Sequence, residues 1–96
     1  MEGLSPIIKW TRTFPYEIVE RRFRSAKILV FLDGFDGEKI HINSRDKSLY
    51  IYGYNEDDNE ACYLKIRLWF KIKKINYRHK NGILTINASG KRFWLF

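Results

Sequence analysis

The sequence has little of what cross-links or interrupts a chain, with one cysteine and two prolines among its 96 residues. The single cysteine, Cys62, excludes a disulfide framework within the chain and fits a reducing compartment. No stretch approaches the roughly 20 apolar residues of a membrane-spanning helix, and residues 1–20 contain no apolar run long enough for a signal peptide. We therefore expect a soluble, cytoplasmic protein that has no membrane partner and is stabilised by packing alone.

Acidic residues are also scarce and unevenly placed. The formal net charge is +7, and the stretch from Lys65 to Lys80 contains seven basic residues and no acidic one. A second basic group is formed by Arg21, Arg22 and Arg24, and the acidic residues cluster at Glu56, Asp57, Asp58 and Glu60. Such a distribution can attract phosphate backbones. The simpler interpretation is that the basic side chains occupy solvated faces of strands.

The three-four spacing of apolar residues that marks an amphipathic helix is missing as well. Period-two alternation is frequent instead: Leu64, Ile66 and Leu68 share one face of a predicted strand, and Lys65 and Arg67 share the other. Strands are predicted at 16–24, 26–33, 38–45, 48–54, 61–70, 74–79, 82–88 and 91–96. The continuous apolar run at 28–32 predicts that its strand is either central in a sheet or covered on both faces.

Short strands separated by turns rich in glycine, aspartate and asparagine predict an all-β fold. We expect an antiparallel immunoglobulin-like β-sandwich of two sheets with seven to eight strands. A chain of this length is expected to form one domain. We divide it into an N-terminal arm, residues 1–15, and a sandwich domain, residues 16–96.

Two motifs point to a particular sandwich. The first runs from Leu32-Asp33-Gly34-Phe35 through an amphipathic strand to Leu49-Tyr50-Ile51-Tyr52-Gly53, and the second is KNGILTI at residues 80–86. In order and spacing these motifs resemble the α-crystallin domain of small heat-shock proteins over about residues 16–88. The CS-type co-chaperone domains are near neighbours of that family. Asp33 stands where the family usually has proline, and Tyr77 stands where it usually has a small residue.

The resemblance implies an ATP-independent chaperone of the stress response (a holdase) or a co-chaperone domain. Either would bind unfolded or partner polypeptides at an exposed sheet edge, and non-native client proteins are the expected partners. In the family the peptide groove lies between the strands equivalent to 38–45 and 74–79. The residues that could line it here are Ile40, Ile42, Ile75 and Tyr77. A place in the core is the simpler alternative, and we favour it for Ile40 and Ile42.

The resemblance does not decide whether the chain forms a homodimer. Many small heat-shock proteins carry an extra strand, which swaps into a neighbouring subunit, in the connection that follows Gly53 here. That connection is very short in this sequence, because the next predicted strand begins at Ala61. We therefore predict that residues 54–61 do not form a strand-swapped dimer.

Catalysis and metal binding have little support in the sequence. The serines lack the context of a nucleophile elbow, so we expect no catalytic residue, no enzyme activity and no cofactor. His41, His79 and Cys62 have no recognisable ligand spacing, and we predict no metal site. The stretch from Asp33 to Glu38 lacks the ligand spacing of a calcium loop and is interpreted as a turn.

The alternative function is nucleic-acid binding by a basic OB-like barrel. Aromatic residues that could stack bases interleave with cations: Tyr50, Tyr52, Tyr54, Trp69 and Tyr77 with Lys65, Arg67, Lys71, Lys73 and Arg78. A barrel of this kind does not account for the order of the two motifs, so we rank this function second.

Overall fold

The computed structural model of the chain describes residues 10–57 and 59–90. These residues form eight strands and one short 3₁₀ helix, which spans Gly37–Lys39. The strands are β1 Trp10–Arg12, β2 Tyr16–Arg22, β3 Ser25–Phe31, β4 Ile40–Arg45, β5 Ser48–Asn55, β6 Glu60–Arg67, β7 Lys74–Lys80 and β8 Ile83–Ser89. None of the described residues belongs to a helix long and apolar enough to cross a bilayer.

The strands form two four-stranded sheets. The first sheet has the order β1-β6-β5-β4 and the second sheet has the order β2-β3-β8-β7. All pairs are antiparallel except β1 with β6, which is parallel. The predicted antiparallel sandwich of two sheets is confirmed, and β3 is central between β2 and β8, as its apolar run indicated.

One core fills the space between the sheets. Strand β3 shows how it forms, because Ala26, Ile28 and Val30 are buried while the residues between them are half-exposed on the outer face. The other core residues are Phe14, Leu32, Phe35, Ile40, Leu49, Ile51, Cys62, Leu64, Ile66, Leu68, Phe70, Leu84, Ile86 and Ala88. Full burial of an aliphatic side chain stabilises a fold by roughly 1.5–3 kcal/mol, so this cluster provides the stability that no disulfide supplies.

The turns follow from residues that tolerate a positive φ. Asn81 and Gly82, with φ of 54° and 78°, link β7 to β8, which matches the type I′ hairpin that Asn-Gly favours. Asp33 and Gly34 also have positive φ, and the turn that they make returns the Phe35 amide to the Leu32 carbonyl at 3.0 Å. This turn directs both of its flanking apolar side chains into the core.

Part of the segment assigned to the N-terminal arm contacts the sandwich. Trp10–Arg12 form β1 along the start of β6, and Phe14 is buried against Phe35 with their ring centroids 5.8 Å apart. Within the segment named the N-terminal arm, Trp10–Arg12 therefore belong to the first sheet and Phe14 belongs to the core. The division of the chain at residues 15 and 16 stays a prediction.

Most predicted strands agree with the observed ones to within two or three residues. The predicted strand 61–70 is too long, because β6 ends at Arg67 and Leu68 donates its amide to the Lys47 carbonyl instead. The predicted start of β4 at residue 38 belongs to the 3₁₀ helix, where the Asp36 carboxylate accepts a hydrogen bond of 2.9 Å from the amide of Glu38. The predicted strand 91–96 lies outside the described residues.

Candidate polypeptide-binding groove

Strands β4 and β7 are both edge strands. In the described part of the chain β4 pairs only with β5, and β7 pairs only with β8. Each strand therefore has one side whose backbone N–H and C=O groups take no part in a ladder within the sheet. Such groups can accept an additional strand.

Contacts at both ends hold these two edges next to each other. Before β4, the 3₁₀ helix passes so close to β7 that a Cβ on Gly37 would lie 2.6 Å from His79 Nδ1. After β4, the Asp46 carbonyl accepts a hydrogen bond of 2.9 Å from the amide of Ile72, just before β7. The beginning of β4 thus lies beside the end of β7, and the end of β4 lies beside the beginning of β7. The two edge strands therefore run antiparallel along one side of the sandwich. We call the space between them the β4–β7 groove.

The four residues expected to line a groove occupy different depths. Ile40 is buried at 7% exposure and belongs to the core, as favoured from the sequence. Ile42 and Ile75 are partly buried and pack against the core from β4 and β7. Tyr77 is 54% exposed. The described residues therefore place one partly buried isoleucine on each edge strand and an exposed aromatic ring on β7.

Sequence reasoning did not identify the residues that hold the edges together. Gly37 is the glycine of an ordinary Asp-Gly turn signal, and nothing in the sequence indicates that His79 packs against it. The hydrogen bond from Ile72 to the Asp46 carbonyl joins backbone atoms only, so no side-chain pattern could have revealed it. The apolar alternation at Ile40, Ile42 and Ile75 was the detectable part of the groove.

The cysteine and the two histidines lie apart from one another. Cys62 points into the core at 2% exposure from the first sheet, whereas His41 lies on the exposed face of that sheet and His79 is on the second sheet. Among the described residues, no group of three metal-ligating side chains comes together. Burial raises the pKa of the Cys62 thiol to about 11; the Glu60 carboxylate adds to this rise and the Arg12 guanidinium opposes it. A thiol of this kind stays neutral and unreactive.

The OB-like barrel is wrong as a fold, because the strands form two separate sheets. The interleaved aromatic residues proposed for it do not share one surface either. Trp69 lies after β6, where its indole nitrogen donates to the Arg22 carbonyl at 2.8 Å and its ring lies 4.9 Å from the Arg21 guanidinium carbon. Tyr77 belongs to the second sheet, and Tyr50, Tyr52 and Tyr54 belong to the first.

Solved structures with the same architecture decide the fold. Heat shock protein 16.0 from Schizosaccharomyces pombe superposes with a TM-score of 0.68 at 17% identity, covering 90% of this chain and 77% of its own. A mutant of hsp14.1 from Sulfolobus solfataricus P2 gives 0.65 at 21% identity, with coverage of 86% and 76%. A small heat shock protein from Synechococcus phage S-ShM2 gives 0.62 at 13% identity, with coverage of 85% and 95%.

The chain has the α-crystallin fold. This confirms the resemblance drawn from the two motifs at the level of the fold. No protein-family model matches the sequence, and no curated protein matches it. At identities this low the α-crystallin fold is established by the course of the backbone, and the role of the β4–β7 groove has to be argued from the side chains of this chain.

Proposed function

We propose that the protein is a non-enzymatic chaperone or co-chaperone that holds extended segments of non-native polypeptides in the β4–β7 groove. The observation that carries this proposal is that two edge strands, neither of which has a second partner strand among the described residues, lie side by side with a half-exposed isoleucine on each. The neighbouring structures are small heat shock proteins, which supports a chaperone-like role for the fold. The cytoplasmic location stays a prediction from the sequence.

The groove has the two properties that binding of many unrelated clients requires. An added strand is held by backbone hydrogen bonds, which every sequence except proline can make. Apolar side chains of the client would cover Ile42, Ile75 and Tyr77, and burial of apolar area contributes roughly 25 cal/mol per Å². No step consumes ATP, because neither pairing nor burial involves a chemical reaction.

The short β5–β6 hairpin limits the ways in which two copies of the chain could form a dimer. Asn55 pairs with Glu60 in the same chain, which leaves residues 56–59 as the connection. A strand that could leave the chain and join a neighbouring subunit does not fit into a four-residue loop. We propose that any homodimer forms without exchange of this segment, and a solution structure of the dimer with residues 54–61 paired to a second chain would refute this.

The experiment is a light-scattering assay of a heat-denatured client protein with the wild-type chain and two variants. Tyr77→Lys places a charge in the groove and removes an apolar ring. Tyr16→Lys makes the same change on β2, an edge strand of the second sheet, at a residue of similar exposure (45% against 54%). We expect the wild type and Tyr16→Lys to suppress aggregation equally, and Tyr77→Lys to need several times more protein for the same effect.

Two outcomes would overturn the proposal. The first is a wild-type chain that does not slow aggregation at severalfold molar excess. The second is equal activity of the Tyr77→Lys and wild-type chains, which would place the client outside the groove. Thermal melting of each variant serves as the check on folding, and because both tyrosines are largely exposed we expect melting temperatures close to that of the wild type.

A further inference from the structure

The outward positions on strands β4, β5 and β6 of the first sheet are rich in tyrosine and hold no carboxylate, and Asp46 lies beside them in the β4–β5 turn. Leu49, Ile51, Leu64 and Ile66 point into the core, so the residues between them point outward. We call the outward set on β4, β5 and β6, apart from the buried Ser48, the tyrosine face: His41, Asn43, Arg45, Tyr50, Tyr52, Tyr54, Ala61, Tyr63, Lys65 and Arg67. The client groove does not use this face, because strand addition occurs at the side of β4.

Three rings cross the middle of the tyrosine face in one row. The strand register places Tyr52 of β5 directly opposite His41 of β4 and Tyr63 of β6. The centroids of His41 and Tyr52 are 5.6 Å apart with their planes inclined by 30°. Tyr52 and Tyr63 are 39% and 49% exposed, so part of each ring is open to solvent.

Shallow depressions lie on both sides of Tyr52. One of about 420 Å³ is lined by Asn43, Ser44, Arg45, Tyr50, Tyr52 and Tyr63. The other, of about 560 Å³, is lined by Lys39, His41, Tyr52, Gly53, Tyr54 and Ala61. The two depressions give planar groups access to the rings from either side of the row.

The charges of the tyrosine face are arranged along the strands. Arg45 and Arg67 lie at one end, since both pair with Ser48, and Lys65 lies next to Tyr50 with its Nζ 5.7 Å from the ring centroid. With a strand rise of about 3.3 Å per residue, these cations lie within about 13 Å of the row of rings. The acidic loop after Tyr54 lies at the opposite end.

The outer face of the second sheet differs from the tyrosine face in its acidic residues and in its lack of tyrosine. It carries Glu17 and Glu20 on β2, opposite Leu29 and Lys27 of β3. Its outward positions on β7 and β8 hold lysine, arginine, asparagine, threonine, serine and one isoleucine, and no tyrosine. Of the two outer faces, only that of the first sheet therefore combines exposed tyrosine rings with cations and has no acidic residue at its strand positions. The second sheet shows that a solvated outer face can lack this combination.

We propose that the tyrosine face binds single-stranded nucleic acid. Bases stack on Tyr52 and Tyr63, and the phosphates that follow them pair with Arg45, Lys65 and Arg67. Sheet faces with exposed aromatic residues hold two or three bases in this way, and each stacked base contributes independently of its sequence. A duplex offers phosphates but no free base faces, so single strands are the better ligand. An acidic polypeptide would use the cations and leave the rings uncovered.

Fluorescence anisotropy with labelled oligo-dT and oligo-rU tests this proposal. The double variant Tyr52→Leu/Tyr63→Leu keeps apolar volume and loses both rings, and its control Tyr52→Phe/Tyr63→Phe keeps the rings. We expect binding by the wild type and by the Phe pair, and weakening by at least tenfold in the Leu pair, since two stacked bases are lost and each is worth about 1–3 kcal/mol. Equal binding by the Leu and Phe pairs would overturn the stacking that defines the site.

A charge-reversal pair locates the phosphates. Lys65→Glu/Arg67→Glu reverses two cations on the tyrosine face, and Arg78→Glu/Lys80→Glu reverses two exposed cations at the same spacing on β7. We expect only the first pair to abolish binding. Three paired phosphates predict a slope of about −2 for log K against log salt concentration with single strands.

Two further results would overturn the proposal. One is equal loss in both charge-reversal pairs, which would mean attraction by net charge alone. The other is labelled poly-glutamate binding as tightly as the oligonucleotides and being unaffected in the Leu pair, which would assign the face to acidic polypeptides. Neither result bears on the aggregation assay, because Tyr77 lies on the other sheet.

Discussion

At the scale of single residues, the Leu-x-Ile-x-Gly motif has a direct physical explanation. Leu49 and Ile51 are completely buried, so they anchor β5 in the core. Gly53 pairs with Ile40, and a Cβ at Gly53 would lie 2.4 Å from the backbone oxygen of Lys39. The glycine is therefore required by the close approach of two backbones where β4 begins.

We predict that Gly53→Ala destabilises the fold by about 1–3 kcal/mol, the usual cost of forcing extra atoms into a packed site. The opposing atom belongs to the backbone, so it can move only by disturbing the first pair of the β4–β5 ladder. Urea unfolding followed by circular dichroism measures the change. A Gly53→Ala chain as stable as the wild type would show that β4 can shift outward without loss.

Cys62 provides a second prediction, for alkaline solution. Its pKa is about 11 in the folded chain against an ordinary value of 9.0, so between these values the folded state keeps a proton that the unfolded state loses. The stability due to the neutral thiol is fully present below pH 9 and is lost as the pH rises towards 11. We expect the unfolding free energy of the wild type to fall in this range more steeply than that of Cys62→Ala.

The difference between the two chains is the quantity to measure, because it cancels every titration that they share. Parallel pH profiles for Cys62→Ala and the wild type would contradict the burial of a neutral thiol. Labelling with a maleimide at neutral pH gives an independent check, since only unfolded chains should react.

At the scale of elements, the Arg12 side chain links β1 to its surroundings, in addition to the parallel ladder that β1 forms with β6. The Arg12 guanidinium donates to the Asp33 carbonyl at 2.7 Å and lies 3.3 Å from a Glu60 carboxylate oxygen. It also lies 5.6 Å from the centre of the Phe14 ring. Arg12 thereby links β1 to the turn after β3 and to the start of β6. Asp33, the departure from the usual proline, takes part in this link through its carbonyl and its carboxylate.

We predict that Arg12→Ala lowers stability by about 1–3 kcal/mol, because hydrogen bonds to charged groups are lost and Glu60, which is largely buried, is left unpaired. Arg22→Ala is the matched control. Arg22 and Glu20 are both exposed with 3.9 Å between their charged atoms, and an exposed pair contributes about 0–1 kcal/mol. Thermal unfolding of both variants compares them, and equal losses would contradict the role given to Arg12.

The elements differ in how far the sequence could predict them. β3, β5 and β8 were predictable because their alternation or apolar runs reflect burial, and the Asn-Gly turn defined the β7–β8 hairpin. β1 was not, since three residues carry no period and their parallel partner lies about 50 positions further along the chain. The tyrosine face was half predictable: Tyr50, Tyr52, Lys65 and Arg67 were noted as a set, but the register that adds Tyr63 and removes Trp69 required the fold.

At the scale of the whole molecule, the sandwich separates two kinds of surface. The β4–β7 groove lies between two edges of the described sheets and carries isoleucine side chains, whereas the tyrosine face carries rings and cations on a broad outer surface. The net charge of +7 would attract acidic polypeptides as well as phosphates to either surface. Experiments with clients therefore need physiological salt, which screens exposed charges beyond about 8 Å.

The central claim is that clients join the sandwich at the two edge strands β4 and β7, and amide hydrogen exchange of the chain with and without a permanently unfolded polypeptide tests it most directly. Bound client should slow exchange at backbone amides of β4 and β7, because an added strand pairs with them, and should leave the amides of β3 and β8 unchanged. Slower exchange restricted to other strands, or no change at any edge while aggregation is still suppressed, would contradict the account.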